Sequence, residues 1–263
     1  SWRTMEVILF MGQSNVSGAG GDASQAPELT EGAGYEFRAV TDPDHLHVLE
    51  EPFGEHENRG ALDDTELLER NGSMATAFVN AYYEETGTPV VGISASVGSS
   101  SLDGWLNRGR KEEAAARLEE AKECLKKEKV RIRHIYMLWF QGEADANLKT
   151  TKDEYKAMLR QLVSYMEEQG VEACFLVQLG PDLTEPSKHQ EIMKAQLEIC
   201  EESEDIVLVS ELPAELTGED MKDEGGIHFT QKALNLIGED AGKNAGAYAA
   251  SLSDSGENGG EQP

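Results

Sequence analysis

Three side chains that together could carry out acyl transfer lie on separate segments of the chain. Ser14 belongs to the sequence Gly-Gln-Ser-Asn at 12–15, Glu143 to Gln-Gly-Glu-Ala-Asp at 141–145, and His228 to Gly-Ile-His-Phe-Thr at 226–230. A serine hydroxyl becomes a strong nucleophile when a histidine takes its proton, and an acid holds that histidine in the required tautomer. Ser14 has an alternative role as a helix cap, because serine is a favoured capping residue. The presence of all three segments favours the catalytic role.

Two of these segments directly follow apolar runs, at 7–11 and 132–140. A run of that kind, closed by a glycine-containing turn, predicts a buried strand. The segment that contains His228 stands just before an amphipathic stretch, which predicts a helix. Because the carboxyl ends of parallel strands share one edge of a sheet, we expect the three side chains to converge at that edge.

Strands and helices alternate along the rest of the chain, which is typical of a three-layer α/β fold with a parallel sheet. Strands are predicted at 7–11, 90–94, 132–140, 173–179 and 206–210, and helices at 73–85, 111–127, 153–169, 188–201 and from 231 onwards. The acidic stretch 18–71, rich in glycine and proline, is predicted to be a long, irregular loop, which is either functional or partly ordered. We expect one domain over 1–250 and a disordered acidic tail over 251–263.

Four sequence blocks, in order, resemble those of the SGNH (GDSL-type) hydrolases. They match the branch that contains sialate O-acetylesterases and acetylxylan esterases, the sixth family of carbohydrate esterases. The blocks are 12–15, Ser-Val-Gly-Ser-Ser-Ser-Leu at 96–102, 141–145, and His-Phe-Thr at 228–230. The resemblance extends from about residue 7 to residue 249. It implies a flavodoxin-like α/β/α fold with a central parallel sheet, and a cofactor-free serine esterase that removes O-acetyl groups from carbohydrate through an acetyl-serine intermediate.

The resemblance also implies a role for individual residues. It makes Ser14 the nucleophile and His228 the base, and it builds the oxyanion hole from the N–H groups of Ser14 and Gly98 and from the side chain of Gln141. Preorganised donors of this kind each typically contribute a few kcal/mol to stabilising the transition state. The residue types leave other roles open. Gly98 could serve only a turn, and Gln141 could be a buried polar residue bonded to backbone.

Three further residues within or beside these blocks are candidates for binding the substrate. Gln13 and Asn15 flank the nucleophile, and Trp105 follows the second block by a short loop. The flat indole of Trp105 could stack on a pyranose ring, and a place in the hydrophobic core is the alternative.

The acid that orients His228 is the point at which the chain departs from the family pattern. The family carries an aspartate three residues before the histidine, and Gly225 occupies that position here. Glu143 is the first candidate, because it lies at the same predicted sheet edge. Asp223 is the second and Glu224 the third, since the two glycines at 225–226 would allow that loop to bulge.

The chain is strongly acidic, with a formal net charge of −27. This charge disfavours nucleic acid and anionic membranes as partners, because phosphate groups are bound by Lys and Arg. No apolar run approaches the roughly 20 residues of a membrane helix. The three cysteines have no metal-ligand spacing, and the chain does not open with a signal-peptide pattern. These features predict free thiols and a cytoplasmic protein. No metal is expected, although His45, His47 and His56 lie among acids, and no feature indicates an oligomeric state.

Two alternatives to a carbohydrate O-acetylesterase remain open. An esterase or thioesterase for other acyl groups would need a longer apolar acyl pocket. A non-catalytic glycan-binding protein on the same fold is conceivable because Gly225 replaces the expected acid. For the favoured acetylesterase the substrate is an oligosaccharide or small-molecule acetyl ester, and the sequence leaves the sugar and the acetylated hydroxyl undetermined.

Overall fold

The structure is a computed structural model that describes residues 1–58 and 69–256 of the chain, with the side chains of 253–256 left undescribed. The strands are β1 (Arg3–Gly12), β2 (Gly34–Arg38), β3 (Asp42–Val48), β4 (Val90–Ser94), β5 (Val130–Phe140), β6 (Ala173–Val177) and β7 (Ile206–Ser210). The helices are α1 (Ser14–Ser17), α2 (Ala75–Thr86), α3 (Leu102–Asn107), α4 (Arg110–Lys127), α5 (Glu143–Asn147), α6 (Lys152–Glu168), α7 (Gln190–Glu202) and α8 (Gln231–Gly256).

The strands form one seven-stranded sheet in the order β3-β2-β4-β1-β5-β6-β7. All neighbouring pairs are parallel except β2 and β3, which pair antiparallel. The predicted α/β fold is therefore confirmed, with a mostly parallel sheet. The antiparallel pair lies within the stretch 18–71 that was predicted to be irregular. Most of β3 is exposed, so its sequence lacks the apolar alternation that identifies a strand.

Each face of the sheet carries its own hydrophobic core, which makes the molecule three layers deep. Alternate residues of β1 enter opposite cores: Leu9 packs with the layer of α3, α4, α6 and α7, and Phe10 packs with α2 and α8. Burial on both faces explains why β1 is an unbroken apolar run, as is usual for parallel strands covered by helices.

The last helix extends further than the sequence predicted. Helix α8 continues to Gly256, past the expected start of the tail at residue 251, and residues 257–263, the rest of the expected tail, lie outside the described part of the chain. Polar residues can extend a helix whose earlier turns are held by tertiary packing, and α8 packs along α2. Within the described residues, no helix combines the length and apolarity needed to cross a membrane.

The sheet order determines which loops meet at the site. Strands β4, β1 and β5 are adjacent, so the segments that follow their carboxyl ends lie side by side. These segments contain Gly98, Ser14 and Gln141, one from each strand. Gly12 ends β1 with φ 139°, and a Cβ there would lie 2.1 Å from the Phe140 carbonyl oxygen. Only glycine therefore fits this turn without strain.

Candidate active site

Ser14 is the first residue of helix α1, directly after the turn at the end of β1. Its side chain is nearly buried. The turn is held to β5 by a hydrogen bond from the Gln13 N–H to the Phe140 carbonyl, at 3.2 Å. The serine therefore stands on a rigid strand end rather than on a free loop, as a preorganised nucleophile requires.

Ser14, His228 and Asp223 form a continuous chain of hydrogen bonds. Ser14 Oγ lies 3.0 Å from His228 Nε2, and His228 Nδ1 lies 2.8 Å from Asp223 Oδ2. With the Nδ1–H donating to the carboxylate, Nε2 is free to accept the serine proton. This is the arrangement in which a histidine acts as a general base toward a serine hydroxyl.

The loop before His228 folds so that Asp223 can reach the imidazole. Gly226 takes φ 65°, and the Asp223 Oδ1 accepts from the N–H groups of Ile227 at 3.0 Å and His228 at 3.4 Å. Partial burial opposes ionisation of Asp223, but these hydrogen bonds and the imidazole lower its pKa below the ordinary value. The carboxylate therefore stays ionised, as an acid that orients histidine must.

Glu143 was the first candidate for the partner of His228, but the carboxylate at His228 Nδ1 is that of Asp223. The Glu143 Oε2 accepts instead from Asn15 Nδ2 at 2.9 Å, and Oε1 is buried without a hydrogen-bond partner among the described residues. Burial raises the pKa of Glu143. Glu224, the third candidate, is exposed to solvent. Asp223 was second in the sequence ranking because its reach depends on a loop conformation that sequence spacing does not reveal.

The side chain of Gln141 is not available for an oxyanion. It is fully buried; its Nε2 donates to the Ser100 carbonyl at 2.9 Å and to Asp145 Oδ2 at 2.7 Å. Its Oε1 accepts from the Tyr155 hydroxyl at 2.9 Å. An amide has only two N–H donors, and both are used inside the protein. The alternative role of Gln141, a satisfied buried polar residue, is the one that the contacts support.

The remaining members of the predicted oxyanion hole lie on adjacent segments. The Val97 N–H donates to the Gly12 carbonyl at 2.9 Å, which holds the segment of Gly98 against the turn of Ser14. Ser99, next to Gly98, has φ 55°, so the backbone turns sharply here. The N–H groups of Ser14 and Gly98 remain the predicted donors.

The three predicted substrate-binding residues are all buried and bonded within the protein. Gln13 Oε1 accepts from the N–H groups of Gly142 and Ala144, at 3.4 and 3.2 Å, and so caps α5. Asn15 bonds to Glu143 and to the loop of His228. Trp105 is 0% exposed, packs edge-on against Trp139 and donates to Ser100 Oγ at 2.9 Å. Substrate contact by Gln13 and Asn15 stays a prediction, although both side chains are engaged inside the protein, and the packing of Trp105 supports its alternative place in the hydrophobic core.

A buried polar network that the sequence did not reveal supports the third block. Asp145 accepts from the Leu102 N–H at 2.9 Å as well as from Gln141. Gln196 on α7 donates to the Gln141 carbonyl at 2.8 Å and to the Tyr155 hydroxyl at 3.0 Å. Tyr155 and Gln196 carried no motif, because each lies within an ordinary helical pattern.

The second block is held by a buried arginine that the sequence analysis also missed. Arg70 donates to the side chain and the carbonyl of Ser96, both at 3.0 Å, and Ser96 Oγ lies 2.8 Å from Ser17 Oγ on α1. Burial lowers the pKa of the Arg70 guanidinium to about 10. Among the described residues, no group of three or more His, Cys, Asp or Glu side chains is arranged to hold a metal ion.

Comparison with models of known protein families identifies an esterase family, which agrees with the Ser-His-Asp arrangement of the site. The model of the carbohydrate esterase family described as sialic acid-specific acetylesterase matches residues 4–246. The chain belongs to this carbohydrate esterase family. The resemblance drawn from the four sequence blocks is thereby confirmed at the level of the family. No curated protein matches the sequence of this carbohydrate esterase.

Solved structures are similar in fold to this carbohydrate esterase but distant in sequence. A protein from Arabidopsis thaliana is 18% identical with a TM-score of 0.64, over 94% of this chain and 97% of that one. The psychrotrophic esterase EstA of a Pseudoalteromonas species is 14% identical with a TM-score of 0.53, over 93% and 98% of the chains. A carbohydrate acetylesterase from Xanthomonas citri is 16% identical with a TM-score of 0.52, over 96% of this chain and 57% of that protein. These likenesses establish the fold.

Proposed function

We propose that this carbohydrate esterase removes O-acetyl groups from carbohydrate through an acetyl-serine intermediate. The observation that carries the proposal is the hydrogen-bonded chain from Ser14 through His228 to Asp223, with separations of 3.0 and 2.8 Å. A serine, a histidine and an ionised acid in this order are the parts that acyl transfer from an ester requires.

The proposed reaction has two halves. His228 Nε2 takes the Ser14 proton as Oγ attacks the acetyl carbonyl, and the N–H groups of Ser14 and Gly98 stabilise the oxyanion. The tetrahedral intermediate collapses as His228 returns the proton to the departing sugar oxygen. Water then attacks the acetyl-serine with His228 again as base, and acetate leaves with the serine hydroxyl restored.

Net charge supports uncharged sugars as the substrate. At −27 the protein repels anionic ligands, whereas acetylated xylo- and manno-oligosaccharides are neutral. The family description names sialic acid, which bears a carboxylate, so O-acetylated sialic acid is the second substrate in our proposal. The same charge leads us to propose that neither nucleic acid nor a membrane is a partner.

The test is acetate release from a panel of acetylated xylo-oligosaccharides, manno-oligosaccharides and O-acetylated sialic acid. Ser14→Ala serves as the blank, and NMR identifies which acetyl groups remain. We expect turnover of a neutral oligosaccharide that Ser14→Ala abolishes. Turnover of 4-nitrophenyl octanoate in preference to the acetate ester would indicate another acyl esterase or thioesterase. Binding of the glycans without hydrolysis of any ester would indicate a glycan-binding protein.

We also propose that the protein acts in the cytoplasm on short oligosaccharides. Its support is that Cys124, Cys174 and Cys200 are all free thiols, which is usual in a reducing compartment. Fractionation of the source cells tests this proposal, and recovery of the native protein chiefly from the culture medium would contradict it.

A further inference from the structure

Asn15, directly after the nucleophile, is one of the most completely bonded side chains in the site. It is 1% exposed, and its carboxamide reaches two distant parts of the chain. Its Nδ2 donates to the Ile227 carbonyl at 3.0 Å, and its Oδ1 accepts from the Phe229 N–H at 3.1 Å. Asn15 therefore binds the backbone on both sides of His228, one residue away in each direction.

Within the described residues, the hydrogen bonds between helix α1 and the backbone of 227–229 are those of the Asn15 side chain. The rest of the loop is tied to itself: the Lys222 N–H donates to the His228 carbonyl at 2.8 Å, and Met221 forms an isolated bridge with Phe229. These bonds shape the loop but do not fix its distance from Ser14. Asn15 joins the nucleophile and the base through their immediate neighbours.

Glu143 reinforces the orientation of the Asn15 carboxamide that its bonds to the Ile227 carbonyl and the Phe229 N–H already require. The second N–H of Nδ2 donates to Glu143 Oε2 at 2.9 Å, so reversing the amide would turn its oxygen toward that carboxyl and its N–H groups toward the Phe229 N–H. Glu143 is the first residue of α5. Gln13, which precedes Ser14 in the sequence, caps the same helix by accepting from the N–H groups of Gly142 and Ala144. The two neighbours of the nucleophile are therefore both anchored to the same short helix.

We propose that Asn15 and Glu143 form a positioning pair that sets the separation of Ser14 Oγ and His228 Nε2, with neither residue contacting the substrate. The inference rests on the proposed function. A misplacement of about 1 Å between reacting groups can cost about 100-fold in rate. Loss of the pair would therefore lower kcat and leave KM nearly unchanged.

Asn80 supplies a matched control for the same kind of bond. It donates to the Glu28 carbonyl and accepts from the Thr30 N–H, both at 2.8 Å, and so also brackets a single residue, on a loop without a catalytic side chain. Asn15→Ala and Asn80→Ala each remove one such bridge. With 4-nitrophenyl acetate we expect Asn15→Ala to lose about 10- to 100-fold in kcat with KM within about twofold, and Asn80→Ala to stay within about twofold in both.

Variants of Glu143 provide a second measurement that does not depend on Asn15→Ala folding. Gln at 143 keeps an oxygen that can accept from Asn15, whereas Leu removes the acceptor. We expect Glu143→Gln to retain kcat within about fivefold and Glu143→Leu to show a loss similar to that of Asn15→Ala. If Glu143 were a triad acid, Glu143→Gln would be as inactive as Glu143→Leu, because replacing such an acid by the amide is itself severely damaging.

The series also separates this inference from the proposed function. Wild-type turnover that Ser14→Ala abolishes supports the proposed function on its own, and absence of wild-type turnover overturns both. With turnover present, the positioning role is overturned by Asn15→Ala keeping kcat within about threefold, by a loss confined to KM, or by Glu143→Gln being as inactive as Glu143→Leu. Thermal melts of each variant identify losses that come from unfolding.

Discussion

Replacing Asp223 by Asn removes a negative charge while keeping the shape of the side chain, and its effect can be worked out from the hydrogen bonds. In the wild type, one carboxylate oxygen accepts from His228 Nδ1 at 2.8 Å and the other accepts from the N–H groups of Ile227 and His228. An amide has one oxygen for these two positions. It must face either the imidazole or the backbone.

If the amide oxygen keeps the two backbone N–H groups, the amide nitrogen faces His228 Nδ1, and the imidazole proton moves to Nε2. In that tautomer His228 cannot accept the Ser14 proton. The reverse orientation loses both backbone bonds, which together contribute about 1–3 kcal/mol. The productive tautomer is then populated at roughly 0.6–16%, at 1.36 kcal/mol per tenfold. Loss of the charge that stabilises the imidazolium adds to this, so we expect kcat to fall by about 10²- to 10⁴-fold.

The assay is hydrolysis of 4-nitrophenyl acetate by Asp223→Asn at neutral pH, with acetate release from an acetylated oligosaccharide as confirmation. Glu224→Gln is the matched control: it removes the neighbouring exposed charge and should stay within about twofold of the wild type. A kcat for Asp223→Asn within tenfold of the wild type, on folded protein, would refute the assignment. So would a larger loss from Glu143→Gln.

Three further substitutions test the reasoning on packing and charge. Trp105→Ala should lower the free energy of unfolding by about 3–5 kcal/mol in urea titrations, because its ring is in the core; a stable protein with only KM raised would instead indicate sugar stacking. Gly12→Ala should destabilise the protein and abolish turnover, since φ 139° and the Phe140 carbonyl leave no room for a methyl group; an active variant of unchanged melting temperature would contradict this. Burial raises the pKa of Glu6 in the folded protein above that in the unfolded chain. The free energy of unfolding of the wild type should therefore fall as the pH rises from the unfolded-state pKa to the folded-state pKa, whereas Gln at this position stays neutral. The stability advantage of Glu6→Gln in urea titrations should thus grow as the pH rises above the ordinary glutamate pKa of about 4.3, and an advantage that does not change with pH would contradict the raised pKa.

The sequence by itself determined the layered α/β fold and two members of the hydrogen-bonded triad, the nucleophile and the base. Strand β7 has the predicted bounds, 206–210, and β1 was identified by its apolar run, because a strand buried on both faces carries a continuous local signal. Ser14 and His228 were found because each lies in a short block whose residues are adjacent in sequence. Their contact at 3.0 Å follows from the strand order that the fold imposes.

Only the tertiary structure decided what the polar residues of those blocks do. Four polar residues of those blocks have side chains that suit catalysis or binding: Gln13, Asn15, Gln141 and Glu143. In the structure each of them makes hydrogen bonds inside the protein. The choice of Asp223 depended on the backbone of the loop at 225–226. A hydrophobic pattern is local, so sequence reveals it, but the partner of a buried amide can be 128 residues away, as Glu143 is from Asn15, and only folding brings the two together.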